Sequence, residues 1–412
     1  MLLSPRLDTL EEIFIYLERR VNESFSSEIS EQYKPSSNLD SFSLPFISCD
    51  SSLLESFEVN PDPKIRDQIF LSGGKLRFFF HPEIEEFYAQ SGFLGIGNGR
   101  GQVNVSPTSS SRTVLTRDLM PNFMIKTDIR KKIGDNIRKI KKEHVDHSLK
   151  ISRELGDISL PEYMGYLPES IGVVYYRESL ETGFIIREII PRPLSYRTRG
   201  IIPFFSLFSR DAFHPEDPLL LDQLIERMCK KKGREFDVFL DKILAPYLNT
   251  WAYLVLERGL IPEIHAQNAL LELDEEGEAT RIICRDLQDF FVDLERRQKK
   301  GLNTDFQKNI AGRTNKAYLV EGKPIKDEES RKQISLSFTY DYRIGRALDL
   351  FYLAMSRYPS CTKEKFTGAA KEIWRTNFNG TDIFPKRAYF PSKDHPNLEE
   401  ELYFTEKLPE YR

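Results

Sequence analysis

Two hairpin patterns separated by helical sequence restrict this chain more than any other feature. Strand-like runs at 171–177 and 183–190 are joined by a polar turn, and a strand–turn–strand unit follows at 269–285. Between them, two or three helices occupy 217–258, the last carrying Leu248, Trp251, Leu254 and Val255 and ending at Gly259. Helices and hairpins thus mix without regular βαβ alternation, and no internal repeat is visible. The expected fold class is α+β, not a doubly wound sheet.

The remaining segments fill in around these. Residues 7–24 predict an amphipathic helix with Leu10, Ile13, Leu17 and Val21 on one stripe, followed by a Ser-rich loop from Ser26 to Ser43. LRFFFHP, within Gln68–Tyr88, reads as a strand. Gly92–Ser111, with Gly92, Gly95, Gly97, Gly99 and Gly101, reads as a long loop or loose hairpin. It is not a phosphate-binding P-loop, because the Gly-Lys-Ser/Thr ending is missing; Gly73-Gly74-Lys75 fails likewise, with Leu76 after the lysine. Phe123-Met124-Ile125 predicts a strand, and Ile129, Ile133, Ile137 and Ile140 predict a helix after it. Further helices are expected at 340–358 and 363–376.

Composition excludes several classes. With 40% hydrophobic and 12% aromatic residues in 412, the chain can bury a core and is not intrinsically disordered. Its 63 acidic and 59 basic side chains leave a net charge of −4, which argues against a dedicated nucleic-acid binder. Cys49, Cys229, Cys284 and Cys361 lie far apart, with neither a disulfide framework nor a zinc pattern, as suits a reducing compartment. No apolar run approaches the ~18 residues of a membrane span, and the N-terminus lacks signal-peptide features. A soluble, cytoplasmic protein without a membrane partner is expected.

Chemistry concentrates in two stretches. If 269–274 and 279–285 form a hairpin closed by Glu275-Glu276-Gly277, its open ends lie side by side. His265, Gln267 and Asn268 then stand at one end and Asp286 at the other. Asn and Asp offer hard oxygen ligands suited to Mg²⁺, and protein kinases hold their metals by a similar loop–hairpin–Asp logic. A plain surface hairpin whose His and Asn satisfy backbone groups would look the same. The second stretch runs from Ser110 to Lys142. Between Arg112 and Lys142 ten basic residues face three acidic ones, a local +7. Lys126 ends an apolar strand and Arg138 adjoins an apolar stripe. Arg112 sits beside hydroxyl donors. Guanidinium forks, a lysine point charge and hydroxyls together suit a polyanion. Lys131, Lys132, Lys139, Lys141 and Lys142 read instead as a solvated helix face, as do His144 and His147.

Together the two stretches resemble the NRPS-independent siderophore synthetases, the aerobactin-synthetase-like ATP-dependent ligases. The motifs are Ser110-Ser111-Arg112-Thr113, the Lys126/Arg138 pair twelve residues apart, Gly183-Phe-Ile-Ile-Arg187-Glu188, His265-Ala-Gln267-Asn268 and Arg285-Asp286. The match covers about residues 75–300 well. Three positions depart from the family pattern: His81-Pro82-Glu83-Ile84 replaces its H-P-W-Q, Gly134-Asp135 its Thr-Ser pair, and Gln288 its second acid. The resemblance implies a cupped-hand architecture with a reduced N-terminal helical region (1–70), a fingers-like phosphate-binding domain (71–200) and a palm-like α+β domain (201–412) holding a kinase-like hairpin site. It implies ATP and Mg²⁺, with a citrate-like carboxylate adenylated and then joined to an amine or alcohol. Ser110, Arg112, Thr113, Lys126, Arg138, Gln267 and Asn268 would bind ATP. Lys126, Arg138 and His265 would be catalytic, and Asn268, Asp286 and Gln288 would hold the metal. Ile201–Phe208 would form a wall for adenine or simply core, and the resemblance leaves room for a homodimer. A nucleotide- or metabolite-binding relative without catalysis and a kinase-like phosphotransferase remain alternative readings of the same residues.

Overall fold

Apolar strands from the first half of the chain join into one antiparallel sheet whose inner face is packed with phenylalanine. The computed structural model describes every residue except 1–8, 21–27, 36–39, 134–135, 178–179, 196, 230–231, 315–318, 321, 380–382, 392–400 and 406–408. Strands β1 (Phe42–Asp50), β2 (Glu55–Glu58), β3 (Phe70–Leu71), β4 (Lys75–Phe79), β5 (Gly97–Pro107), β6 (Thr113–Thr116) and β7 (Phe123–Thr127) come first. A small hairpin, β8 (Lys132–Ile133) and β9 (Asn136–Ile137), and a short strand, β10 (Met164–Tyr166), precede β11 (Glu169–Arg177) and β12 (Leu180–Glu188). The large sheet runs in the order β2-β11-β12-β7-β6-β5-β1-β4-β3. It curls strongly. Phe184 of β12 meets Phe78 and Phe79 of β4, five strands away, with ring centroids 5.4 and 5.7 Å apart. The two edge strands, β2 and β3, are joined by a single connection containing one short helix.

Four helices accompany these strands. They are α1 (Leu10–Arg19), α2 (Pro63–Ile69) in the edge-to-edge connection, α3 (Glu85–Gln90) and α4 (Lys142–Gly156). A Thr9–Glu12 capping box starts α1. Helix α4 lies against β11 where Gly172 has no side chain, since a Cβ there would overlap Val145 Cγ1.

The second layer is a four-stranded sheet, β10-β16-β15-β13, made with β13 (Thr198–Pro203), β15 (Ala269–Asp274) and β16 (Ala279–Cys284). The intervening β14 (Leu260–Ile261) pairs with β17 (Phe291–Val292). Phe14 and Ile15 of α1, Leu115 and Met124 of the large sheet, and Ile201, Leu270 and Ile283 of the small sheet form one buried cluster. That cluster fixes β7 beside the end of β16. Helices from 204 to 258 and from 328 to 378 surround a larger core built on Tyr247, Trp251 and Phe351. No described helix is long and apolar enough to cross a membrane. The α+β expectation holds, with mixed helices and a curled antiparallel sheet.

Three local expectations fail. The isoleucine stripe at 129–140 is not a helix. Arg130 adopts φ +49°, β8 and β9 pair, and Ile137 is exposed; helix begins only at Lys142. Gly92–Ser111 is largely strand β5. Its glycines make room for β1, since a Cβ on Gly101 would strike the Phe46 ring. Of the two readings for Ile201–Phe208, core is the one seen: a strand turns into a short helix, with Ile201 and Ile202 wholly buried. His147 is buried and not solvated, its Nε2 2.8 Å from the Phe290 carbonyl. Val21 and Gly134-Asp135 lie outside the described residues.

Candidate functional site

Antiparallel pairing puts Thr113 opposite Lys126 and, across β7, Lys126 opposite Ile185 of β12. Lys126 therefore sits mid-sheet with its side chain only 1% exposed. Its ammonium donates to Asp286 Oδ1, 160 positions on in sequence. Asp286 follows β16 in the left-handed conformation (φ +64°), which turns the chain and directs its carboxylate at the large sheet. Arg187, two residues beyond Ile185 on β12, reaches the same Oδ1 at 3.2 Å. The guanidinium is also fastened at 3.1 and 2.5 Å to Glu169, which accepts from Ser148 of α4. Asp286 is 22% exposed and is thus the open end of an otherwise buried charge chain.

Electrostatics follow from this burial. Desolvation pushes the Asp286 carboxyl up, but Lys126, Arg187 and Arg112 outweigh it and hold the group well below the usual carboxylate range. Burial pulls the Lys126 ammonium down while Asp286 pushes it up. Arg112, 6% exposed, is lowered by burial, opposed by Asp286 and reinforced by the nearby Arg138 charge. Among the described residues the Arg112 guanidinium makes no hydrogen bond, and it faces the Asp286 field as a free fork.

The loop between β5 and β6 carries the Ser-rich motif. Ser111 takes φ +60°, Thr108 Oγ1 donates to the Thr113 carbonyl at 2.7 Å, and Thr113 N–H donates to Ser110 Oγ at 3.1 Å. Ser109 donates twice to Glu18 of α1, at 3.0 and 2.7 Å, and Arg285 pairs with the other oxygen of Glu18. Gln267 Nε2 donates to Ser109 Oγ at 3.3 Å, so the loop and the β15–β16 rim are tied directly.

At that rim the His265 carbonyl accepts from Asn268 and Ala269 N–H. His265 Nδ1 accepts the Gln267 N–H at 3.2 Å, which puts the ring proton on Nε2; Asn268 Nδ2 lies 3.3 Å from that nitrogen, so the Asn268 amide accepts the Nε2–H only with its oxygen turned to the ring. Burial lowers the His265 pKa and keeps the ring neutral. Gln288 is buried with an Oε1 that finds no hydrogen-bond partner among the described residues. Such an orphaned oxygen two positions past Asp286 suits a cation ligand. Among the described residues no cluster of three or more His, Cys, Asp or Glu could hold a metal alone. A divalent cation here would rest on one carboxylate, amide oxygens and whatever oxygens its ligand brings.

The structure thus gathers Ser110, Arg112, Thr113, Lys126 and Asp286, with Gln267 bonded to Ser109, His265 and Asn268 adjoining, and Arg138 close enough to act on Arg112. Sequence reasoning misses Glu169, Ser148 and Glu18. A glutamate among the buried positions of α1 is the one available signal; Glu169 has none.

No protein-family model and no curated protein matches the sequence. Solved structures do. The petrobactin biosynthesis protein AsbB from Bacillus anthracis str. Sterne aligns with TM-score 0.63 and 14% identity over 92% of this chain and 72% of its own. ATP-bound aerobactin synthetase IucA from a hypervirulent pathotype of Klebsiella pneumoniae aligns at 0.61 and 14% over 89% and 69%. Aerobactin synthetase IucC from the same source aligns at 0.63 and 13% over 92% and 70%. The polypeptide has the fold of the NRPS-independent siderophore synthetases, over about seven-tenths of their length.

Proposed function

We propose that the protein is an ATP-dependent ligase of siderophore assembly that adenylates a citrate-like carboxylate and condenses it with an amine or alcohol. The observation that carries this reading is the Arg112–Lys126–Asp286–Arg187 cluster beside the Ser-rich loop: fixed, buried positive charge around one carboxylate. An anionic acid attacking a triphosphate must overcome repulsion, and preorganised cations lower that barrier. The similar aerobactin synthetase IucA is ATP-bound, which supports ATP as the nucleotide.

In this reading Ser110, Arg112, Thr113 and Lys126 hold the phosphates, with Gln267 and Asn268 at the nucleotide's other side. A carboxylate oxygen attacks the α-phosphorus, the bond to the bridging oxygen breaks, and pyrophosphate leaves. Arg138 and the Nε2–H of neutral His265 flank the phosphoryl oxygens where charge builds up. The amine nitrogen then attacks the acyl carbon, loses its proton and expels AMP. Mg²⁺, held by Asp286 with Asn268 and Gln288, would neutralise phosphate charge. The β15–β16 hairpin serves here as the corresponding hairpin serves in kinases.

Incubation with Mg-ATP, hydroxylamine and a panel of polycarboxylic acids tests the proposal. Pyrophosphate, AMP and an acyl hydroxamate are expected. ADP would instead assign a phosphotransferase, and nucleotide binding without any product a binding protein. Calorimetry showing no ATP binding in millimolar Mg²⁺ would remove the nucleotide site itself.

A further inference from the structure

We propose that Lys126 is the internal counter-ion of Asp286, standing where a divalent cation would stand, so that the protein takes up the metal only together with a nucleotide. The inference rests on the nucleotide reading above and adds to it an order of binding.

Two cations share Asp286 Oδ1, and they differ in freedom. Arg187 is anchored by two further bonds to Glu169, which is itself held by Ser148. Lys126 makes no hydrogen bond other than to Asp286 among the described residues. Its flexible four-carbon stem can swing toward a phosphate, whereas the planar Arg187 fork is fixed at both ends. Arg187 therefore holds the carboxylate in place, and Lys126 is the cation that can leave.

Charge decides when it leaves. Arg112, Lys126 and Arg187 are three positive groups that bear on Asp286, and Glu169 and Asp289 are the further carboxylates that bear on Lys126. The Asp286 carboxylate is already compensated by those cations, and Lys126 is 1% exposed, so little solvent screens it. A bare dication that approaches Asp286 meets the repulsion of all three and must also evict the ammonium. A triphosphate changes that balance. It gives Lys126 a new anion and supplies the oxygens that a site with one available carboxylate lacks. Gln288 Oε1, buried and unpartnered among the described residues, is the neutral oxygen that such a jointly built shell would use.

The test is Mn²⁺ titration, read by electron paramagnetic resonance and calorimetry, with and without a non-hydrolysable ATP analogue. Wild type should bind Mn²⁺ weakly alone and far more tightly with the analogue, each strengthening the other by the same factor. Lys126→Met should bind Mn²⁺ alone at least about tenfold more tightly than wild type, because one like charge is gone from beside the ligand. Lys126→Arg should stay weak, and adding Asp286→Asn to Lys126→Met should erase the gain. Mn²⁺ binding to wild type that is equally tight without nucleotide would overturn the proposal, as would a folded Lys126→Met with no gain. If Lys126→Met does not fold, Lys126→Gln replaces it, and the wild-type comparison still decides. Failure of wild type to bind the analogue at all would count against the nucleotide reading, while the metal-alone arm of Lys126→Met would still test the counter-ion.

Discussion

Arg138 and Lys139 are neighbours in sequence, yet the fold gives them different surroundings. Lys139 is exposed, whereas Arg138 is half-buried on the loop after β9 and its charge bears on Arg112. Under the ligase reading, Arg138→Ala and Lys126→Ala should each lower pyrophosphate release by ~100-fold or more, comparable to losing one preorganised electrostatic donor. Lys139→Ala should be nearly silent in the same assay. Equal losses at 138 and 139 would mean a diffuse basic surface. At this scale the sequence is informative wherever a residue's type and spacing define its role. Lys126, His265 and Asp286 stand out as chemistry from their positions along the chain alone. Arg187 does not stand out as a clamp, because that role depends on Glu169 and Asp286, and neither is near it in sequence. The orphaned oxygen of Gln288 is likewise a property of what surrounds it.

Helix α1 joins the site through one side chain. Glu18 accepts from Ser109 and from Arg285, and is wholly buried. Removing one partner of a buried pair leaves the other uncompensated, so Glu18→Ala should destabilise the protein by about 3–5 kcal/mol in urea unfolding. Under the ligase reading it should also weaken nucleotide affinity by loosening the Ser109 turn. Unchanged stability would show that Arg285 finds another partner. A second element-level prediction concerns α4. Gly172→Ala places a methyl against Val145, so α4 must shift; Tm should fall, and a cavity-making Val145→Ala should partly restore it, as a double-mutant calorimetric series would show. Hairpins are the readable elements, since a turn between alternating runs has few other solutions. The 129–140 stripe misleads because isoleucines three and four apart satisfy a helix and a folded-back loop equally, and nothing local announces the positive φ at Arg130. The glycines of β5 mislead for the opposite reason: their cause is the Phe46 and Ile47 side chains of another strand.

Across the whole molecule, four buried ionisable groups set opposing responses to acid. Burial pushes His81 and His147 down to about 4, with Glu83 and the Phe290 carbonyl only partly offsetting it. Burial pushes Asp128 and Asp341 up to about 6 against the pull of Arg130 and Arg412. Below pH 6.5 the unfolded histidines take up protons that the folded ones refuse, so their contribution is lost as pH falls toward 4. The raised aspartates act the other way: their contribution is present at low pH and lost as pH rises through 6. The two pairs nearly cancel over the same window. His147→Gln should therefore cost stability at pH 7 but gain on wild type by on the order of 2 kcal/mol on going to pH 5. Calorimetric Tm at both pH values checks it, and a pH-independent difference would mean that His147 is protonated in the folded state.

The connection that joins β2 to β3 links both ends of the nine-stranded sheet, and α2 is its middle. A sheet has two edges that can recruit another chain, and here one short segment ties both together. A protease that cut once between 59 and 62 would leave the ladders to β11 and β4 in place, yet it would remove the covalent tie between the two edge strands. The nicked protein would hold its two edge strands less firmly, and its first fate would be self-association through them.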